Sequence, residues 1–356
     1  MKIGIQAREL SGYGGTHVYV TSILKELQKI SDHQIYLFNS NGSYDGSSHN
    51  NFEHVSSLTR SPVISDHVLT RKWICKYDID VYWQPKNTLP FGGISGTQSV
   101  VTIHDLGHFI SKDYYPFISR FYQKKAIQNS CKNADSIIAI SQGTKQDILR
   151  YTSATEEEIE VIYHGVSGEI KTVGERNIDQ LQVKINSSSK LIYGGNLGLR
   201  KNTLRLVEAF SNGSFEDYTL VFTGTPPNDT IQTHLEQTDR VRSLGYVDSE
   251  IVSALYVAAD VFVYPSLYEG FGLPILEAMM CGTPVITTNT SSIPEVAGDA
   301  AILIDPHSVP EIESAIERVL NDTQLRSDLI RRGEQRAQKF SWKKTAMETI
   351  ATLVND

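Results

Sequence analysis

The run Tyr264-Pro265-Ser266-Leu267-Tyr268-Glu269-Gly270-Phe271-Gly272-Leu273-Pro274-Ile275-Leu276-Glu277-Ala278-Met279 reads as a strand end, a turn, a glycine-bearing loop and the start of a helix. Val261–Tyr264 is a continuous apolar run, as in a parallel strand covered on both faces. Pro274 falls in the first helical turn, where a missing N–H costs nothing. Ligands of open α/β sheets lie outside the carboxyl ends of the strands, so this loop is where one is expected. The amides of Gly272 and Leu273 begin the helix without intrahelical partners and carry partial positive charge, which suits a phosphate. Gly270 and Gly272 let backbone approach a ligand closely. Glu269 on the loop and Glu277 in the helix can accept hydrogen bonds from two separate sets of hydroxyls on one extended ligand. A surface loop with two ordinary glutamates is the plainer account. Against it, Glu277 sits among Ile275, Leu276, Ala278 and Met279.

Working outward, both halves of the chain alternate strands with helices. The second half holds Leu191–Gly195, helix Leu204–Phe210, Leu220–Thr223, helix Glu250–Ala259, Pro284–Thr287 and Ala301–Ile304. The first half opens with Lys2–Ala7, a glycine turn at Gly12-Tyr13-Gly14-Gly15 and helix Thr16–Ile30, whose Val18, Val20, Ile23, Leu24 and Leu27 recur near helical spacing. Gln34–Phe38, Val81–Gln84, Ser99–Ile103 and Ser136–Ile140 are further β-rich runs. Buried parallel strands need right-handed crossovers, so each half is expected to be a doubly wound α/β sheet. Glycines 165, 168 and 174 and the polar Asn186-Ser187-Ser188-Ser189 place a linker at 167–189. A final helix is expected over about Ser341–Val354.

The 356 residues suffice for two domains at roughly 100–200 residues each. Net charge is −8, which disfavours a general nucleic-acid binder. The charge is uneven: up to Gly165 there are 16 basic and 16 acidic residues, and the rest holds 17 and 25. The three cysteines (Cys75, Cys131, Cys281) form no CxxC, against a disulfide framework or a structural zinc site. No uninterrupted apolar window is long enough to span a bilayer, and Met1–Ile5 runs straight into a strand rather than a signal peptide. The expected location is cytoplasmic.

A second cluster, Gly194-Gly195-Asn196-Leu197-Gly198-Leu199-Arg200-Lys201-Asn202, follows the first strand of the second half. Arg200 brings a fork of donors and Lys201 a mobile charge, a pair able to neutralise a diphosphate. A solvated charge pair is the plain alternative, but a βα turn is where phosphates dock. The glycines match neither GxGxxG nor the P-loop pattern, which argues against a Rossmann dehydrogenase and a P-loop NTPase.

Gly195–Asn202, Glu269–Glu277 and Cys281-Gly282-Thr283-Pro284-Val285-Ile286…Ile293-Pro294-Glu295-Val296 together resemble the signature of GT4-type retaining glycosyltransferases. The two glutamates match that family's E-x7-E motif without gaps. The resemblance is dense from about Leu191 to Pro306 and looser before it. It implies a GT-B fold: two facing Rossmann-like parallel-sheet domains with a cleft between them. Residues 1–166 would bind the acceptor, 190–340 the nucleotide sugar, and 341–356 would pack back on the N-terminal domain. Arg200 and Lys201 would bind the donor diphosphate, Glu269 the transferred sugar and Glu277 the ribose. Gly195, Asn196, Gly270, Phe271, Gly272 and Leu273 would line the donor. The implied donor is GDP-mannose first and a UDP-hexose second. The acceptor would be a glycan or lipid-linked saccharide of cell-surface polysaccharide synthesis. The nucleotide sugar is a co-substrate, and neither cofactor nor metal is implied.

In the first half, Val100–Ile103 leads into His104-Asp105. A histidine at a strand's carboxyl end can donate to a sugar hydroxyl or move a proton. A packed core histidine is the ordinary alternative; the resemblance implies an active-site role. Asp105 either accepts from the acceptor hydroxyl or caps the next segment. Gly14 and Gly15 form a tight turn whose amides can also line the donor site. Trp83, Asn87 and Thr88 are candidates to touch the acceptor sugar. His104 and His108 lack a third metal ligand, and Asp78-Ile79-Asp80 precedes a strand, so turn-forming aspartates explain it better than a metal motif. Pro116–Asp135 mixes Phe117, Ile118, Phe121, Tyr122 and Ile127 with Arg120, Lys124, Lys125 and Lys132. It is either a core-packed surface helix or a basic helix on an anionic membrane, at its inner face. A sugar-nucleotide epimerase, a phosphorylase and a non-catalytic two-domain binding protein are the competing functions.

Overall fold

The computed structural model describes residues 1–12, 14–39, 51–56, 64–171, 179–181, 185 and 190–354. Tyr13 of the first glycine turn, nearly all of the polar Ser40–Asn51 loop, and most of 167–189 lie outside these residues. The chain forms two compact units, Met1–Gly165 with Ser341–Asp356, and Val166–Phe340.

Among the described residues the first unit holds a seven-stranded sheet: β1 (Lys2–Gln6), β2 (Gln34–Phe38), β3 (Phe52–Val55), β4 (Val81–Gln84), β5 (Gln98–Ile103), β6 (Ser136–Ala139) and β7 (Ile159–Val161). Its order is β3-β2-β1-β4-β5-β6-β7, with every pair parallel. The second unit holds six: β8 (Lys190–Asn196), β9 (Tyr218–Thr223), β10 (Val241–Ser243), β11 (Val261–Tyr264), β12 (Val285–Thr288) and β13 (Ile302–Ile304), ordered β10-β9-β8-β11-β12-β13 and again parallel. The expected α/β fold with two doubly wound Rossmann-like sheets is therefore met. In each sheet the order reverses beside the first strand, between β1 and β4 and between β8 and β11. Ligands of such sheets gather at that switch point, at the carboxyl ends of the strands.

Most of the strands read from the sequence have side chains buried on both faces, such as β4, β11 and β12. Three others carry no such signal. β3, β7 and β10 are outermost strands of three or four residues, and each bears exposed polar side chains. The helices Gly15–Ile30, Thr203–Asn212 and Ser249–Ala258 each lie within two residues of the expected bounds, and Leu273–Met280 holds Pro274 in its first turn as expected.

The C-terminal helix Trp342–Val354 belongs to the first unit and lies against helix Gly15–Ile30. Thr345 Oγ1 donates to Tyr163 O at 2.7 Å. A Cβ at Gly165 would fall 2.1 Å from the backbone nitrogen of Trp342, so only glycine permits this crossing.

Helix Phe117–Asn133 divides along its length. Ala126, Ile127, Ser130 and Cys131 are buried, whereas Phe117, Ile118 and Phe121 are 73%, 81% and 59% exposed. It carries four basic residues and no acidic one. Among the described residues no helix is long and apolar enough to cross a membrane.

Candidate functional site

In the second unit the loops after β8 and β11 are tied together at the switch point. Leu267 N donates to Arg200 O at 2.8 Å, and Ser266 Oγ lies 3.1 Å from the same oxygen. Ser292 Oγ, beyond β12, donates to the carbonyls of Glu269 and Phe271 at 2.9 and 3.0 Å. Ser291 Oγ accepts from Glu269 N at 3.0 Å. The loop bearing Glu269 is thus held from both sides.

Glu269 itself is buried. Its Oε1 accepts from Lys201 Nζ at 2.6 Å, Tyr264 OH at 2.8 Å and Ser266 Oγ at 2.5 Å. Arg200 Nη2 stands 3.8 Å from Oε2. Burial alone would raise the pKa of this carboxyl, but the Lys201 and Arg200 cations beside it hold it down at about 2. Lys201 also donates to the Tyr264 hydroxyl and lies over the Tyr264 ring. Glu277 is partly buried, and its Oε2 accepts from Tyr256 OH at 3.0 Å. Burial raises its pKa, and the Tyr256 hydrogen bond opposes that rise.

Gly272 occupies the N-cap of helix Leu273–Met280 at φ 104°, a backbone state that costs a side-chain-bearing residue dearly. The helix start next to Glu269 presents unpaired amides and the positive end of its dipole. Two cations, the Glu269 carboxylate and a helix N-terminus therefore meet at the carboxyl ends of the central strands β8 and β11, with Glu277 farther along that helix. The cations and amides suit a pyrophosphate, and the carboxylates suit hydroxyls. Asn196 ends β8 with its side chain exposed, and Gly195 precedes it in a left-handed conformation.

In the first unit His104 directly follows β5. Its Nε2 donates to Pro85 O at 2.8 Å, and its backbone N donates to Asn87 Oδ1 at 2.8 Å. Burial lowers the pKa of the ring, more than the Pro85 contact raises it. A neutral ring whose Nε2–H is committed to a carbonyl has Nδ1 left as an acceptor. This corrects the expectation that His104 donates to a sugar hydroxyl; proton acceptance through Nδ1 fits the geometry. Tyr19 packs edge-on against His104 at 4.9 Å and lies 4.7 Å from the buried His164.

Asp105 Oδ1 accepts from Gly107 N at 2.9 Å, so it caps the following turn. Asn87 serves the backbone of His104 and reaches Asp105 O at 3.4 Å with Nδ2. Trp83 is fully buried, and its Nε1 donates to Thr102 Oγ1 at 3.0 Å. This overturns its reading as a sugar platform: β4 is buried on both faces, so the ring belongs to the core. Gly14 (φ 88°) caps helix Gly15–Ile30, and a Cβ at Gly14 or Gly15 would meet nothing within 4 Å. Asp78 ends helix Thr70–Tyr77 in a left-handed conformation, and Asp80 Oδ2 accepts from Lys2 N at 2.7 Å. Both are turn residues. Among the described residues no three His, Cys, Asp or Glu side chains are grouped to hold a metal ion.

The tyrosines Tyr256 and Tyr264 and the serines Ser266 and Ser292 were not singled out from sequence. One signal was available: a tyrosine ending a buried strand must find a partner for its hydroxyl.

The two parallel sheets and their strand order are those of the GT-B fold. The second half matches the family model "Glycosyl transferases group 1" over residues 174–336, and the first half matches "Glycosyltransferase Family 4" over 13–169. The chain is 31% identical to the O-antigen chain mannosyltransferase B of Escherichia coli over 86% of its own length and 84% of that protein. It is 30% identical, over 70% of its length, to the serotype-specific mannosyltransferase WbdA of the same organism, and spans 32% of that protein. Anabaena HepE, solved in complex with UDP and glucose, superposes with a TM-score of 0.78 over the full length of both chains at 19% identity. WaaG, a glycosyltransferase involved in lipopolysaccharide biosynthesis, superposes with a TM-score of 0.75 over both full chains at 15% identity. The chain belongs to glycosyltransferase family 4.

Proposed function

We propose that this glycosyltransferase moves a hexose from a nucleotide sugar to a glycan or lipid-linked saccharide, with retained anomeric configuration, in cell-surface polysaccharide synthesis. The donor we favour is GDP-mannose, with a UDP-hexose second. The mannosyltransferase relatives from Escherichia coli support mannose and a polysaccharide acceptor. Anabaena HepE in complex with UDP-glucose keeps uridine donors in view.

The observation that carries the reading is the convergence of Arg200, Lys201, Glu269 and the helix start at Gly272 at the carboxyl ends of β8 and β11. In the transfer, the bond from the anomeric carbon to the pyrophosphate oxygen breaks and a bond to the acceptor oxygen forms. The nucleoside diphosphate leaves with the electron pair, and the acceptor hydroxyl's proton passes to the departing phosphate oxygen. Negative charge grows on the leaving diphosphate, where Arg200, Lys201 and the amides of Gly272 and Leu273 stabilise it. No cofactor or metal is needed for that step as proposed. Glu269 holds hydroxyls of the sugar and Glu277 those of the ribose.

We place the protein in the cytoplasm, peripheral to the inner face of an anionic membrane. The exposed Phe117, Ile118 and Phe121, on a helix whose only charges are positive, support this.

The test incubates the protein with GDP-mannose, UDP-glucose or UDP-galactose and a mannosyl acceptor, and follows diphosphate release and the anomeric proton of the product. GDP release with an α-linked mannoside supports the reading. Isomerised sugar nucleotide from donor alone, or binding without turnover, would replace it with an epimerase or a binding protein.

A further inference from the structure

Three tyrosines lie under the second-unit site. Tyr193 packs against Tyr256 and Phe262, at 5.3 Å each; Phe262 packs against Tyr256 at 5.2 Å and Tyr264 at 5.5 Å. All four rings are buried. A buried phenol must spend its hydroxyl on a partner, and these three spend theirs in one direction. Tyr264 OH donates to Glu269, Tyr256 OH donates to Glu277, and Tyr193 OH meets Thr223 Oγ1 at 3.0 Å. Thr223 Oγ1 in turn donates to Asn196 Oδ1 at 2.5 Å, so the Tyr193 proton points at Thr223.

We infer that Tyr193, Tyr256 and Tyr264 are positioning residues that set the side chains of Asn196, Glu277 and Glu269 from one shared aromatic floor. The inference rests on the donor-site reading above. Phe262 touches all three rings and locks their mutual placement. A glutamate has several rotatable bonds, and a fixed hydroxyl donor selects one of its rotamers before the ligand arrives. The two glutamates serve opposite ends of the donor, so the two tethers have separable effects. Tyr256 governs grip on the nucleotide end. Tyr264, which also receives Lys201, governs the reacting end. Phenylalanine fills the same volume in each case, so these roles belong to the hydroxyl and not to packing.

The experiment compares Tyr256→Phe, Tyr264→Phe, Glu277→Ala and the double variant Tyr256→Phe/Glu277→Ala in the full-length chain, with GDP-mannose as donor and the best UDP-hexose alongside. Tyr256→Phe is expected to raise donor KM about fivefold or more with kcat within about twofold, and Tyr264→Phe to lower kcat about tenfold with KM little changed. With Glu277 already alanine, Tyr256→Phe is expected to have no further effect on KM. If both phenylalanine variants keep kcat and KM within about twofold while Glu277→Ala raises KM about tenfold, the tethers are idle and the inference falls. It also falls if the Tyr256 effect multiplies unchanged in the alanine background. If Glu277→Ala itself leaves KM untouched, the donor-site reading fails, and the tether inference with it. The two tyrosines sit on different elements, so a variant that does not fold leaves the other to decide.

Discussion

The ammonium of Lys201 lies 2.6 Å from the carboxylate of Glu269, although 68 positions separate them in the chain. One follows β8 and the other β11, neighbours at the centre of the second sheet. Their meeting is a product of topology: it occurs where strand order reverses, and neither residue announces the other in sequence. Arg200 completes the group at 3.8 Å without sharing the short contact.

Arg200 can therefore be removed with Glu269 still paired to Lys201. Arg200→Ala is expected to lower kcat on the order of 10²-fold, as loss of a charge-stabilising donor does. The melting temperature should fall by less than about 4 °C. Activity within a few-fold of the parent would show that this cation does not serve the leaving group.

Acid should destabilise the second unit through Glu269. Its pKa drops from 4.5 to about 2 on folding, so the unfolded chain binds the extra proton. The stabilisation is complete above pH 4.5 and disappears as pH falls toward 2. Melting curves of the parent across this range should fall more steeply than those of Glu269→Gln, which lacks the titrating group. Parallel slopes would contradict the assignment.

A second window lies nearer neutrality. His104 is half-buried and His164 buried, and their pKa values fall below 6.5 on folding, His164 furthest. The unfolded chain is again the better proton binder, so stability is highest above pH 6.5 and declines as pH drops below it. Imidazole proton resonances followed by NMR should give both rings midpoints below 6.5, His164 the lower. A ring titrating above that value would refute the burial argument for it.

Gly165→Ala should disrupt docking of the C-terminal helix. The added carbon would sit 2.1 Å from a backbone atom of Trp342, which cannot yield as a flexible side chain can. We expect a loss of about 2 kcal/mol or more and faster proteolysis within 341–354. A melting temperature equal to the parent's would mean that the crossing is looser than it stands here.

Replacing Phe117, Ile118 and Phe121 together by serine should cut binding to anionic vesicles about tenfold or more, since the exposed apolar area is what would enter the lipid. Sedimentation with phosphatidylglycerol vesicles reads this directly. Transfer to a soluble acceptor is expected to stay at the parent level. Unchanged sedimentation would remove this face from membrane contact.

Much of this was legible in the residues. Central strands such as Val261–Tyr264 are apolar throughout because helices cover both faces, and such runs stand out. The outer strands Ile159–Val161 and Val241–Ser243 have one covered face and few residues, so they left no pattern. Glu269, Arg200 and Lys201 were readable because glycines and strand ends marked their loops. Tyr256 was not, since a tyrosine in an apolar helix looks like core, and here it is core with one working atom. Trp83 misled for the converse reason: an aromatic near a strand end suggests a sugar platform, but both faces of its strand are covered. The tautomer of His104 depends on the Pro85 carbonyl, a backbone atom that no side-chain pattern reports.

The central claim, that Arg200, Lys201 and the helix start at Gly272 grip the donor by its pyrophosphate, is tested most directly by comparing nucleoside diphosphate with monophosphate. Calorimetric titration of GDP, GMP, UDP and UMP in the presence of EDTA isolates the second phosphate. The account predicts that the preferred diphosphate binds at least about tenfold more tightly than its monophosphate, and that Arg200→Ala removes most of the difference. Equal affinity for the two, or a difference that Arg200→Ala leaves intact, would contradict it.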